Sequence, residues 1–143
     1  MDLQPNENIA HLARRVYTIA VKRARVLIVD DERPTVDILS RFLTSRGHAA
    51  VGAFSAEEAL KTLASEPFDL ILLDLVLPGI TGFQALPGML KLTKSPIHLM
   101  SGQTDSDTHK DAMALGASGF LPKPLDLKAV QGLLEALPPG PAT

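Results

Sequence analysis

An α/β fold, a doubly wound sheet of five parallel strands with helices on both faces, is the architecture this sequence predicts. Three observations predict it. From residue 25 onward, short apolar runs alternate with amphipathic stretches, five times over, and that alternation calls for an open parallel sheet. The apolar runs are continuous, as expected of strands covered on both sides. Four of the five end in or just before an acid, a hydroxyl or an amine, and in such sheets the working site lies beyond the carboxyl ends of the strands.

The elements follow in order. Residues 26–29 form an apolar run that ends in Asp30-Asp31. Pro34 opens a helical pattern, a position where its missing N–H has no helical partner. Val36, Leu39, Phe42 and Leu43 share one face of it, and Gly47 is a fitting stop. Residues 49–54 read as a second strand. Ser55-x-x-Glu58 reads as a capping box that starts a helix carrying Ala59, Leu60 and Leu63. Residues 70–73 are a third strand ending at Asp74, and Leu77-Pro78-Gly79 is loop chemistry. Thr81-x-x-Gln84 caps the next helix. Pro87 and Gly88 fall inside it, so a kink or a short helix is expected, at a cost of about 3 kcal/mol. A fourth strand, 97–100, ends at Ser101, and a fifth, 119–121, ends just before Lys123. Asp126 caps a last helix with Leu127, Val130, Leu133, Leu134 and Leu137 at helical spacing.

The 143 residues suit one domain with a sizeable core. Hydrophobic residues make up 45% but aromatics only 4%, so that core is aliphatic. The absence of cysteine excludes disulfides, thiolate metal sites and thiol catalysis. It also fits a reducing, cytoplasmic location. No apolar run approaches the roughly 18–20 residues that span a bilayer. Residues 1–25 hold five basic side chains against two acids, whereas the rest holds nine against fourteen. An acidic body argues against direct nucleic-acid binding, which rests on neutralising phosphates.

Asp30, Asp31 and Asp74 brought together at one sheet edge repel one another, so a cation is expected. Hard oxygen ligands suit Mg²⁺. Lys123 supplies a further positive charge and Ser101 a hydroxyl. Such a site can hold a phosphoryl group in line with a carboxylate nucleophile and spread its charge over metal, ammonium and hydroxyl. Any one of these aspartates, taken alone, is more often a turn former or helix cap. The joint pattern carries the signal. A metal-dependent phosphatase with an aspartate nucleophile would want a second acid two residues later, where Val76 stands. A flavin domain would want a phosphate-cradling loop after the first strand.

Three stretches carry a specific resemblance: Val26-Leu27-Ile28-Val29-Asp30-Asp31-Glu32, the segment 69–79 that contains Asp74 and ends in Leu77-Pro78-Gly79, and Gly116-Ala117-Ser118-Gly119-Phe120-Leu121-Pro122-Lys123-Pro124. In this order and spacing they resemble the response-regulator receiver domain of two-component signalling. The resemblance implies a flavodoxin-like strand order 2-1-3-4-5. It implies phosphorylation on Asp74, with Asp30, Asp31, Asp74 and the backbone carbonyl of Val76 as ligands of Mg²⁺. Ser101 would be the switch hydroxyl, Lys123 the phosphate-binding amine and Phe120 the aromatic that moves with the switch. Lys123-Pro124 would be the family's usually cis peptide bond. The implied partners are a sensor histidine kinase or phosphotransfer protein and a downstream protein. The chain would be a signalling switch and not an enzyme, except toward its own phosphate. A receiver-like interaction module that does not use phosphorylation is the alternative.

The expected boundaries are an extension at 1–24, the receiver at 25–137 and a Pro-rich tail at 138–143, with no output module among them. A single-domain receiver or a piece of a longer protein both fit. In the extension Ile9, Leu12, Ala13, Val16, Tyr17 and Ala20 follow helical spacing. An amphipathic helix there would pack on the domain or mediate self-association. Val76, with no polar side chain to place a hydrolytic water, implies a long-lived phosphorylated state, which Gln103 would offset in part. The four histidines show no ligand spacing and none suggests a phosphodonor, so the donor is expected to be another protein.

Overall fold

A computed structural model describes residues 23–102 and 106–138, together with Ile9. The rest of the extension, Gln103 and the residues beyond 138 lie outside the described residues, and with them the expected N-terminal helix and tail. Among residues 23–138, as far as they are described, five strands alternate with five helices: β1 Arg25–Val29, α1 Arg33–Ser45, β2 Ala49–Ala53, α2 Ala56–Ser65, β3 Leu70–Asp74, α3 Gly82–Leu92, β4 Ile97–Ser101, α4 Ser106–Ala114, β5 Gly119–Pro122 and α5 Leu127–Glu135. The strands form one parallel sheet in the order β2-β1-β3-β4-β5. Among the described residues no helix is long and apolar enough to cross a membrane.

Successive side chains of a strand point to opposite faces, and the two faces build two cores. Val26 and Ile28 of β1 and Leu70 and Leu72 of β3 meet Val36, Leu39 and Leu43 of α1 and Val130 and Leu134 of α5. Leu27, Val29, Ile71 and Leu73 meet Ala59 and Leu63 of α2, Ala85, Leu86 and Met89 of α3 and Ala112 of α4. β1 and β3 thus bury side chains on both faces, which explains their unbroken apolar runs.

Local chemistry sets the helix ends. Gly47, at φ +86°, closes α1: its N–H bonds the Thr44 carbonyl and the His48 N–H bonds the Leu43 carbonyl. That is the paired C-terminal bonding a left-handed residue permits. Ser55 accepts the Glu58 N–H as expected, but the Glu58 carboxylate accepts from Phe54 rather than from Ser55. Thr81 and Gln84 make the full reciprocal box.

Of the two expectations for the third helix, a kink or a short helix, the short helix is not met. α3 runs eleven residues through Pro87. Pro87 is exposed, so the helical bond it forgoes lies on the solvent side. Ala85, Leu86 and Met89 are buried on the other. Burying two large side chains, at about 1.5–3 kcal/mol each, outweighs the proline penalty.

The phenylalanines lie mostly toward the rim. Arg25 stands over the Phe68 ring at 5.3 Å, Arg33 over Phe54 at 4.4 Å and Arg46 over Phe42 at 4.2 Å. At the N-terminal end of the sheet Arg25 also bonds the Pro67 carbonyl and Asp69. Nearby, Leu137 and Pro138 border a hollow with Asp69, Lys94, Ser95 and Pro96. The chain therefore enters and leaves the described domain at the same end.

Candidate functional site

The strands deliver their polar ends to the opposite edge. Asp30, wholly buried, follows β1, and its N–H is fixed to the Ala53 carbonyl at 3.0 Å. One carboxylate oxygen accepts the Glu32 N–H at 2.9 Å, and the other accepts from Lys123 Nζ at 2.8 Å. Asp74 ends β3, is 4% exposed, and accepts the Val76 N–H at 3.1 Å on Oδ1 and Lys123 Nζ at 3.2 Å on Oδ2. Ser101 ends β4 and is also buried. Its carbonyl takes the Lys123 N–H at 2.8 Å, which brings the start of the β5–α5 loop to this edge. The Lys123-Pro124 bond is cis.

Gly82 matters to the same corner. A Cβ there would lie 2.4 Å from the Asp74 carbonyl oxygen and 2.8 Å from Leu75 Cα. The Gly82 N–H bonds the Leu75 carbonyl at 3.0 Å. Only a residue without a side chain lets α3 begin this close to the segment that carries Asp74.

Charge is unbalanced here. Burial, and next the neighbouring Asp30 charge, push the Asp74 carboxyl up from 3.8 to about 6, against the pull of the Val76 N–H and Lys123. Burial disfavours the charged Lys123 ammonium, but its bond to Asp30 and the charges of Asp74 and Asp30 outweigh it, so its pKa rises. One ammonium thus serves two buried carboxylates, with Glu32 at 3.9 Å as a more exposed third neighbour.

The acids fit a hard cation. Asp30, Asp31 and Asp74 each offer a carboxylate oxygen, all within 4.8 Å of one another. Ligands of one octahedral ion at about 2.1 Å stand about 3–4 Å apart, so small side-chain rotations suffice. Asp31 is exposed, which leaves one side of the cluster open to solvent. Val76 is 61% exposed and its side chain points away from any buried role.

Phe120 takes no part in the acid cluster. Leu121 beside it belongs to the α1–α5 core, whereas Phe120 packs on the opposite face. There its ring stacks on His109 of α4, centroids 3.9 Å apart and planes 30° off parallel. Of the contributors sequence reasoning missed, Glu32 lies within a quoted motif and is a fourth acid at this edge, 3.9 Å from Lys123. Gly82 and His109 have no sequence signal, because what distinguishes them is a contact with another segment. His48, read as carrying no special role, is buried and its Nδ1 accepts the Ala24 N–H at 2.9 Å. His98 is half-buried in β4.

Residues 26–135 match the family model of the response regulator receiver domain. The response regulator protein FleR of Pseudomonas aeruginosa is 37% identical over 113 residues, 78% of this chain and 24% of that protein. The curated relatives it matches are longer: the chain spans 45% of the transcriptional regulatory protein YvrH of Bacillus subtilis, at 32% identity. Among solved structures, the chemotaxis protein CheY4 of Vibrio cholerae superposes with a TM-score of 0.74 at 27% identity, over 80% of this chain and 98% of that one. A response regulator from Burkholderia pseudomallei, solved with a phosphorylated aspartic acid, a calcium ion and citrate, superposes with a TM-score of 0.74 at 28% identity, over 79% and 67%. With five parallel strands in the order 2-1-3-4-5 and a family model that matches most of its length, this chain belongs to the response-regulator receiver domains of two-component signalling.

Proposed function

We propose that this receiver accepts a phosphoryl group on Asp74 from a histidine kinase or phosphotransfer protein and uses it to switch the binding of a downstream protein. The observation that carries the reading is the buried Asp74 carboxylate, held at the strand end by Val76 and Lys123 with Asp30 and Asp31 in reach of a shared cation. A carboxylate oxygen of Asp74 attacks phosphorus and forms the new O–P bond, while the P–N bond of the donor's phosphohistidine breaks and the imidazole leaves. Lys123 meets the phosphoryl charge once it arrives, since its ammonium already lies between Asp30 and Asp74. Asp30, Asp31, Asp74 and the Val76 carbonyl would hold Mg²⁺, which supplies positive charge to the transferring group. The Ser101 hydroxyl senses the phosphoryl oxygen, and Phe120 moves with it.

An apolar hollow bordered by Thr35, Ile38, Leu39, Pro124, Leu125 and Leu127 opens beside Lys123. Exposed Ile38 makes it a fitting seat for the protein that delivers phosphate. The domain would act in the cytoplasm, where such donors work, and would catalyse only the gain and loss of its own phosphate. The alternative, a receiver-like module that ignores phosphate, leaves the buried Asp30–Lys123–Asp74 group without a purpose.

The test is intact mass after incubation with acetyl phosphate and Mg²⁺. Wild type gains one phosphoryl group that hydroxylamine removes, and Asp74→Asn gains none. Equal labelling of the two proteins would remove Asp74 from its role, and no labelling of either would favour the silent module.

A further inference from the structure

α4 is the least anchored helix of the described domain. Its nine residues, Ser106 to Ala114, are mainly polar, and Ala112 is the one that is buried. Its C-terminal end is set by packing: Ala117 is buried, and Gly116 comes so close to α3 that a Cβ would lie 2.8 Å from Leu90. Toward its N-terminal end, nearer Ser101, the ring of His109 rests on that of Phe120. Both rings are half-buried. The stack therefore ties the helix that follows Ser101 to the strand that precedes Lys123.

We infer that His109 is a positioning residue for the switch: its imidazole, stacked on Phe120, holds that ring in the resting arrangement and sets how readily the domain takes up its phosphorylated one. The inference rests on the reading of Phe120 as the aromatic that moves. Phe120 lies against α4 at rest, so a move toward the acid cluster separates the rings. The contact belongs to the resting state and is lost from the other. Aromatic pairs in general bias an equilibrium by about two- to tenfold. Where phosphorylation draws on a minor arrangement, the apparent rate scales with its population, so losing the ring raises that rate by the same factor.

The experiment labels all five phenylalanines with 4-fluorophenylalanine and follows the Phe120 fluorine resonance, assigned by its disappearance in Phe120→Tyr. In wild type it shifts when Mg²⁺ and beryllium trifluoride, a stand-in for the phosphoryl group, are added. In His109→Ala the resonance of the unmodified protein already lies part of the way to that position, and acetyl phosphate labels Asp74 about two- to tenfold faster. His109→Tyr, which restores a ring, returns both to wild-type values. His109→Gln keeps a helix former without a ring and reads the same as alanine, should alanine fail to fold. A ringless variant with wild-type shift and labelling rate overturns the inference, as does a tyrosine variant that behaves like the ringless ones. A wild-type Phe120 resonance that ignores beryllium trifluoride overturns the reading of Phe120 itself, and the role of His109 with it.

Discussion

Replacing Gly82 by alanine tests whether the start of α3 is held against the Asp74 segment by want of a side chain. On helix propensity alone the change is favourable, since glycine costs about 1 kcal/mol relative to alanine inside a helix. The structure reverses the sign. The new methyl would sit 2.4 Å from the Asp74 carbonyl oxygen and 2.8 Å from Leu75 Cα, both backbone atoms that no rotamer change can move. Relief requires α3 to back away, which weakens the Gly82 N–H bond to the Leu75 carbonyl and the packing of Ala85 and Leu86. Overpacking of this kind costs about 1–3 kcal/mol. Gly132 is the internal control: it lies within α5, and a Cβ there meets nothing within 4 Å. Gly132→Ala should therefore stabilise by up to about 1 kcal/mol. Urea unfolding, with the slope checked for constancy, measures both. A midpoint shift upward for Gly132→Ala and downward for Gly82→Ala is expected. Acetyl phosphate labelling should also slow in Gly82→Ala alone, because the displaced segment carries the acceptor. A Gly82→Ala protein as stable and as readily labelled as wild type would refute the argument.

Two further outcomes follow from exposure and burial. His48 accepts the Ala24 N–H on Nδ1, and burial first, then nearby Arg23, hold its pKa below 6.5; burial holds His98 below it too. The unfolded chain therefore takes up protons first as pH falls, so this stability is whole above pH 6.5 and is lost toward the lower folded pKa values, at about 1.4 kcal/mol per unit of depression. Asp74, raised to about 6, works the other way in the same window because the folded chain takes up its proton first, so the comparison is between proteins: from pH 7 to pH 5 the urea midpoint of wild type should drop relative to that of His48→Gln, which keeps an acceptor for Ala24 but does not titrate; a constant difference would clear His48 of any part. Val76 is 61% exposed, so Val76→Asn should fold normally while its amide helps place the water that hydrolyses the aspartyl phosphate. One added hydrogen bond in the transition state suggests decay about three- to tenfold faster, followed by mass spectrometry at fixed Mg²⁺; equal or slower decay would show that this position does not set the lifetime.

What could be read in advance, and what could not, divides along a physical line. β1 and β3 are buried on both faces, so their apolar runs were unambiguous and the structure moved their ends by a single residue. The stops at Gly47 and the caps at Thr81 and Asp126 depend on chemistry within four residues, and each is present. α4 had no such pattern, because a helix that buries only Ala112 has no apolar stripe to show. Pro87 did not shorten its helix, for the opposite reason: a local rule was outvoted by Ala85, Leu86 and Met89 on the far side of the same helix. At the site, strand ends alone sufficed to gather Asp30, Asp74 and Lys123. They did not reveal that Lys123 bridges both acids, nor that Phe120 turns toward α4 and rests on His109. Those facts depend on which residues far apart in sequence happen to touch.

Both points at which the chain enters and leaves the described domain, before Arg25 and at Pro138, lie at the end of the sheet away from the acids. Five-residue strands separate the two ends by about 17 Å, roughly twice the distance over which physiological salt extinguishes an exposed charge. A charge fixed at either attachment point is therefore screened from Asp74. Coupling between the two ends of the sheet runs through the strands and the two cores that join them. The backbone that enters and leaves the domain thus keeps the open side of the acid cluster, where Asp31 is exposed, unobstructed.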